Sequence, residues 1–232
     1  MHRIRVWDLS IRLFHWALVG AVALSYYTMK MGGAPFVFPV EIHARAGLVV
    51  LGLLLFRWGW ALAGSHHARV RHFLYGPRAV LGYLRALWRG ALPPYAGHNP
   101  LGGLAVVVML VSLSVQAISG LFLSDDVFFQ APLYDRVSTT TSDALRTLHH
   151  WNGQLLLGLI GLHLVALLIH RWKGERLVGA MIHGVKRLPG PPHDSPAHDG
   201  SAHQGAVTQG KPWRAAGLII VAVGVVSWLW QL

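Results

Sequence analysis

The sequence contains no cysteine. That excludes disulfides, cysteine-ligated iron–sulfur clusters and haem attached through a C-x-x-C-H motif. Any metal or haem is left to histidine, methionine or carboxylate. Acidic residues are scarce, 9 Asp and Glu against 20 Lys and Arg, and none lies inside the long apolar runs. Charged residues of either sign make up only 12% of the chain, whereas 53% is hydrophobic. That is the composition of a membrane protein. The net charge of +11 could point to nucleic acid. The basic residues, however, sit between apolar runs, so the partner they imply is a bilayer and not nucleic acid.

Five runs are long enough to span a membrane: Leu13–Met29, Ala46–Gly64, Leu101–Ser124, Trp151–Ile169 and Trp213–Leu232. The first outruns signal-peptide length and has no small-residue cleavage pattern before Lys30, so it reads as a retained helix. Trp16, Tyr26, Tyr27, Trp58, Trp60, Trp151, Trp172 and Trp213 cluster at the run ends as an interfacial belt. Sixteen of the twenty basic residues fall in the N-terminal segment, at Arg57, and in the loops after the second and fourth runs. The positive-inside rule therefore predicts a cytoplasmic N-terminus and an outer C-terminus. Pro77–Leu92 has the spacing of an amphipathic surface helix. Asp125–Asp143 reads as an acidic outer loop, and Leu188–Gly210 as a flexible linker rich in His, Pro and Gly.

Fifteen histidines are present, and depth sorts them. Leu148–His170 reads as one membrane-spanning helix that extends the fourth run, and on it His149 and His163 are 14 residues apart. On a helix they differ by about 40° in direction and about 21 Å along the axis, so they share a face at two depths. His15 enters the first run near the cytoplasmic side, and His43 opens the second near the outer side. Depth then pairs His15 with His163 and His43 with His149. Each pair joins two helices, as bis-histidine ligation of haem iron in a bundle requires. Gly47 and Gly153, each four residues after a ligand candidate, leave room for a flat ring, or serve ordinary helix packing. Arg12 and Arg57 fit either haem propionates or simple interfacial anchoring. His150 points away from His163 and reads as an interfacial neighbour. His170, beside Arg171 and Lys173, reads as a headgroup contact. The remaining histidines fall in loops or in the linker.

The stretches VWDLSIRLFHW (Val6–Trp16), IHARAG (Ile42–Gly47), LHHWNGQL (Leu148–Leu155) and GLHLV (Gly161–Val165) resemble the bacterial cytochrome b561 and Ni/Fe-hydrogenase b-type cytochrome family. The resemblance covers about Met1 to Lys173 and implies an all-α integral membrane protein. Its core would be a four-helix transmembrane bundle binding two non-covalent haems b, with His15, His43, His149 and His163 at the family's ligand positions. The expected organisation is a core at 1–173, a cytoplasmic linker at 174–212 and a fifth transmembrane helix at 213–232.

The function expected is transmembrane electron transfer in the bacterial inner membrane, as the electron-transfer subunit of an oxidoreductase. Electrons would pass between quinone and a periplasmic or peripheral redox protein, such as a c-type cytochrome or a dehydrogenase or hydrogenase subunit. Oligomeric state stays open, a homo-oligomer included. A free-standing superoxide or quinone oxidoreductase is the alternative within the class. A histidine-based metal-ion transporter is the alternative outside it, disfavoured because such a path would place carboxylates inside the spans.

Overall fold

A computed structural model of the chain describes residues 2–30, 38–90, 93–188, 190, 193–194 and 210–232. In chain order its elements are β1 (His2–Arg5), α1 (Leu9–Lys30), α2 (Pro39–Ala63), α3 (Val70–Phe73), α4 (Pro77–Trp88), α5 (Pro100–Gly120), α6 (Thr139–Trp172), α7 (Leu177–His183), β2 (Val185–Leu188) and α8 (Pro212–Trp230). Helices α1, α2, α5, α6 and α8 are long and apolar enough to cross a membrane. In lipid a spanning segment must satisfy its own backbone polar groups, so these apolar runs fold as helices.

Several helix ends differ from the hydropathy-based bounds. Helix α2 begins at Pro39 instead of Ala46, with proline in its first turn, where its missing N–H costs nothing, and Glu41 beside the positive helix end. His43 therefore sits in the second turn of a formed helix instead of opening it. Helix α6 begins at Thr139, not Trp151. The Ser138 hydroxyl accepts a hydrogen bond from the Thr141 N–H at 3.2 Å, a side-chain cap. Thr139–Asp143, expected in the outer loop, are thus helical. Helix α5 stops at Gly120. Leu121–Leu123 leave it to form a hairpin arm, with Ala131 donating to the Leu123 carbonyl at 2.8 Å and Leu133 to that of Leu121 at 2.9 Å. The surface helix α4 is seen as far as Trp88, and residues 91–92 of its expected range lie outside the described residues. The expected linker opens with structure, α7 and β2, while its histidines His198 and His203 lie outside the described residues.

The chain forms two compact units. The first holds Met1–Arg12, Gly59–Val108 and Gly161–Ala215. Here a short antiparallel pair is added to the expected all-α fold: β1 lies on β2 with Arg3 opposite Arg187 and Ile4 opposite Lys186. Beneath it Val6, Ala96 and Leu188 are buried together. Gly184 ends α7 with φ +78°, a conformation costly for other residues, and its carbonyl accepts from Val6 N–H at 2.9 Å. Asp8 caps α1 through Ile11 N–H at 2.8 Å. Its other oxygen accepts from Trp60 Nε1 at 3.1 Å and from the Ser65 hydroxyl.

The second unit holds Leu13–Trp58, Met109–Ile160 and Ala216–Leu232. A buried polar network ties α5 to α6. Ser112 Oγ donates to Asn152 Oδ1 at 2.8 Å. Asn152 Nδ2 donates to the Ser112 carbonyl at 2.9 Å and to Gln116 Oε1 at 2.7 Å. Unpaired, these groups would cost heavily in an apolar interior; paired, they fix the register of the two helices.

Candidate functional site

Two of the four sequence-predicted ligands meet in the second unit. His43 on α2 and His149 on α6 have ring centroids 6.1 Å apart, with ring planes at 75°. Both rings are half-buried. His43 Nδ1 lies 3.0 Å from the Ser25 carbonyl oxygen and 3.0 Å from the Ser25 hydroxyl. A carbonyl can only accept, so Nδ1 carries the proton. His149 Nδ1 lies 3.1 Å from Ser119 Oγ. The single Ser119 hydroxyl proton goes to the Gln116 carbonyl at 3.1 Å, so Oγ accepts from His149 Nδ1–H. With Nδ1 engaged by a protein oxygen, each imidazole is oriented and Nε2 is the nitrogen left to bind a metal.

Two imidazoles bound through Nε2 on opposite sides of one metal, each at a bond of about 2.0–2.1 Å, have centroids roughly 6 Å apart. The pair matches that spacing. It lines a cavity of about 760 Å³ with apolar walls that include Val22, Leu48, Leu113 and Leu156, a volume usual for cofactor sites. Gly47 and Gly153 also line it. A Cβ at Gly47 would meet nothing within 4 Å, so the space beside it is open; one at Gly153 would touch Gln116 at 3.5 Å. By donor set and volume the cavity therefore fits a metal-bearing group held by two histidines.

Sequence reasoning missed several contributors. Ser25 and Ser119 set the tautomers. Gly120 lets His149 lie against α5, since a Cβ there would be 3.2 Å from His149 Cε1. The cations on the cavity wall are Lys30, Arg45 and Arg146. Arg45 pairs with Glu41, and Arg146 donates to Asp126 at 3.1 Å and to the Ser124 carbonyl at 2.8 Å. A serine or arginine at matching depth on a neighbouring span was the available signal.

The other candidates lie elsewhere. Arg12, in the first unit, donates to the Ile182 carbonyl. Arg57, in the second, is only 4% exposed, so it does not snorkel to a surface as its position near the end of the run suggested. His15 packs edge-on against Trp16 at 5.1 Å in the second unit, and His163 is half-buried in the first. His150 is exposed, stacked edge-on against Trp151, and also reaches the cavity wall. His170, expected as a headgroup contact, lies 3.5 Å from Glu175, which Lys186 also approaches at 3.3 Å. The His170 imidazole and the Lys186 charge outweigh burial and hold the Glu175 carboxyl down to about 2. The loop histidines His66 and His72 stack with centroids 3.8 Å apart. Arg71 Nε donates to His72 Nε2 at 3.0 Å. Burial, then the charges of His66 and Arg71, push His72 down to about 4. Among the described residues, no three of His, Cys, Asp or Glu gather as a metal site of their own.

Against known proteins, residues 6–184 match the sequence model for prokaryotic cytochrome b561. The chain is 28% identical over 155 residues to a probable Ni/Fe-hydrogenase B-type cytochrome subunit of Azotobacter chroococcum mcd 1, covering 57% of this chain and 64% of that protein. It is 29% identical over 128 residues to the protein of the same description from Azotobacter vinelandii, covering 46% and 52%. The chain thus spans between half and two thirds of the length of these curated relatives. No solved structure matches.

Proposed function

The chain belongs to the prokaryotic cytochrome b561 family, and from that premise we propose that it carries electrons across a membrane through two b-type haems. The observation that carries the reading is the His43–His149 pair, two imidazoles 6.1 Å apart on the wall of a largely apolar cavity. A b haem held there supplies a one-electron ferric–ferrous couple. The residues do the rest. His43 and His149 would hold the group through Nε2, while Ser25 and Ser119 fix their rings. The apolar wall limits water and so sets the potential. Lys30, Arg45 and Arg146 offer positive charge to the carboxylates of such a ligand. By sequence spacing, the proposal extends to His15 and His163 as ligands of a second haem b.

Charge asymmetry between loops supports an N-terminus in the cytoplasm and a C-terminus in the periplasm of a bacterial inner membrane. Relatives described as Ni/Fe-hydrogenase cytochrome subunits support a docked redox protein as one electron partner; quinone is proposed as the other. The test is a reduced-minus-oxidised spectrum with a pyridine haemochromogen assay on protein purified from haem-replete cells. Two haems b per chain with low-spin bis-histidine bands are expected. One haem per chain would break the second pairing, and none in folded protein would overturn the reading.

A further inference from the structure

The fifth transmembrane helix lies outside the matched residues 6–184, yet its last turns belong to the His43–His149 cavity. Leu229, Trp230 and Leu232 line it. Ala222, Val226, Leu229 and Trp230 fall at intervals of three and four, so they share one helix face. On that face Ala222 is 5% and Leu229 4% exposed, whereas Ile220 on the other side is 71% exposed. A Cβ at Gly52 of α2 would lie 3.0 Å from Val226 Cγ2, so the bare backbone at Gly52 lets α8 lie close against α2. The Arg45 guanidinium sits 4.7 Å over the Trp230 ring and is itself held by Glu41. A cation over an indole face is attracted to it, here with both side chains about half exposed.

We propose that this face of α8 is a wall of the His43–His149 cavity, and that Trp230, set by Arg45, is the positioning residue that shuts water and small solutes out of it. Without the indole, the cavity is open beside Leu229 and the imidazole pair loses part of its apolar cover. The identity of the cavity's occupant rests on the dihaem reading; the wall itself does not.

Because the chain has no cysteine, one placed on the cavity wall is a clean reporter. Ala117 lines the cavity and is 9% exposed. Ala117→Cys in the full chain, in lipid nanodiscs, is alkylated with N-ethylmaleimide and the rate measured. Adding Trp230→Ala is expected to raise that rate at least tenfold. Trp230→Phe, which keeps an aromatic plate, should stay within twofold of the parent, as should Ile220→Ala. On haem-loaded protein, Trp230→Ala should also lower the midpoint potential of one haem and leave the other. An unchanged alkylation rate in Trp230→Ala, or an equal rise in Ile220→Ala, would overturn the wall. If the parent carries no haem but Trp230→Ala still opens the cavity, the wall stands and the dihaem reading fails. Two haems with an unmoved thiol rate would do the reverse.

Discussion

The two units share a chain but not a chemistry. The first carries fifteen of the twenty basic residues and four of the nine acidic ones, whereas the second carries five of each. Histidine behaves differently in each. In the first unit His66, His67 and His72 crowd together beside Arg69 and Arg71, and burial lowers the proton affinity of all three. In the second, His43 and His149 each give Nδ1–H to a serine oxygen and both line the cavity. Histidine number is therefore a poor guide to ligation. What distinguishes a candidate ligand is the partner of its other nitrogen.

The contrast can be broken first at glycines. A Cβ at Gly103, in the first unit, would lie 1.8 Å from the Phe73 carbonyl oxygen, a backbone atom. Gly103→Ala should destabilise by about 3 kcal/mol, as severe overpacking does. At Gly47, in the second unit, nothing lies within 4 Å, and Gly47→Ala should fold as the parent does. Thermal unfolding in detergent, followed by proteolysis of each unit, checks both.

Next come the serines. Ser119→Ala should weaken retention of the group at the His43–His149 site by roughly 10–100-fold, whereas Ser25→Ala, which keeps the Ser25 carbonyl as acceptor for His43 Nδ1–H, should weaken it less. The rate of haem transfer to an added apo-globin reads this directly. Ser114→Ala, which frees Trp58 Nε1 instead, should not change it.

Acid sharpens the comparison further. His72 titrates at about 4 in the folded chain against 6.5 when free. The unfolded chain therefore binds a proton first, and stability present above pH 6.5 is lost as pH falls toward 4. Glu175, at about 2 against 4.5, contributes stability present above pH 4.5 and lost toward pH 2. Amide exchange should report loosening of the first unit in the upper window, and His72→Gln should reduce that phase, leaving the part that His66 and His67 contribute. The smallest effect is expected at Glu41→Gln, an exposed pair with Arg45, at about 0.5 kcal/mol or less in urea unfolding.

The spans were legible because long apolar runs admit few other folds. Their ends were not. The first turns of α2 and α6 are polar, so hydropathy placed His43 at the edge of a helix and left Thr139–Asp143 in a loop. The β1–β2 pairing joins residues 180 to 186 positions apart, and no local pattern in HRIR or VKRL announces it. The His43–His149 pairing was legible from helix spacing and depth alone. Its hydrogen-bond partners were not, because a serine inside a span has many ordinary uses and nothing near Ser25 in sequence points to His43. The arginines at the cavity wall were hidden for the same reason. Depth alone drew attention to Arg12 and Arg57, while packing brought Arg45 and Arg146 to the site.

The most direct test is the haem content of purified His43→Ala, His149→Ala and the double variant, each shown to be folded. One haem per chain is expected in all three, with the double variant no worse than either single. Loss of both haems in either single variant, or retention of two, would contradict the assignment of His43 and His149 to one shared iron.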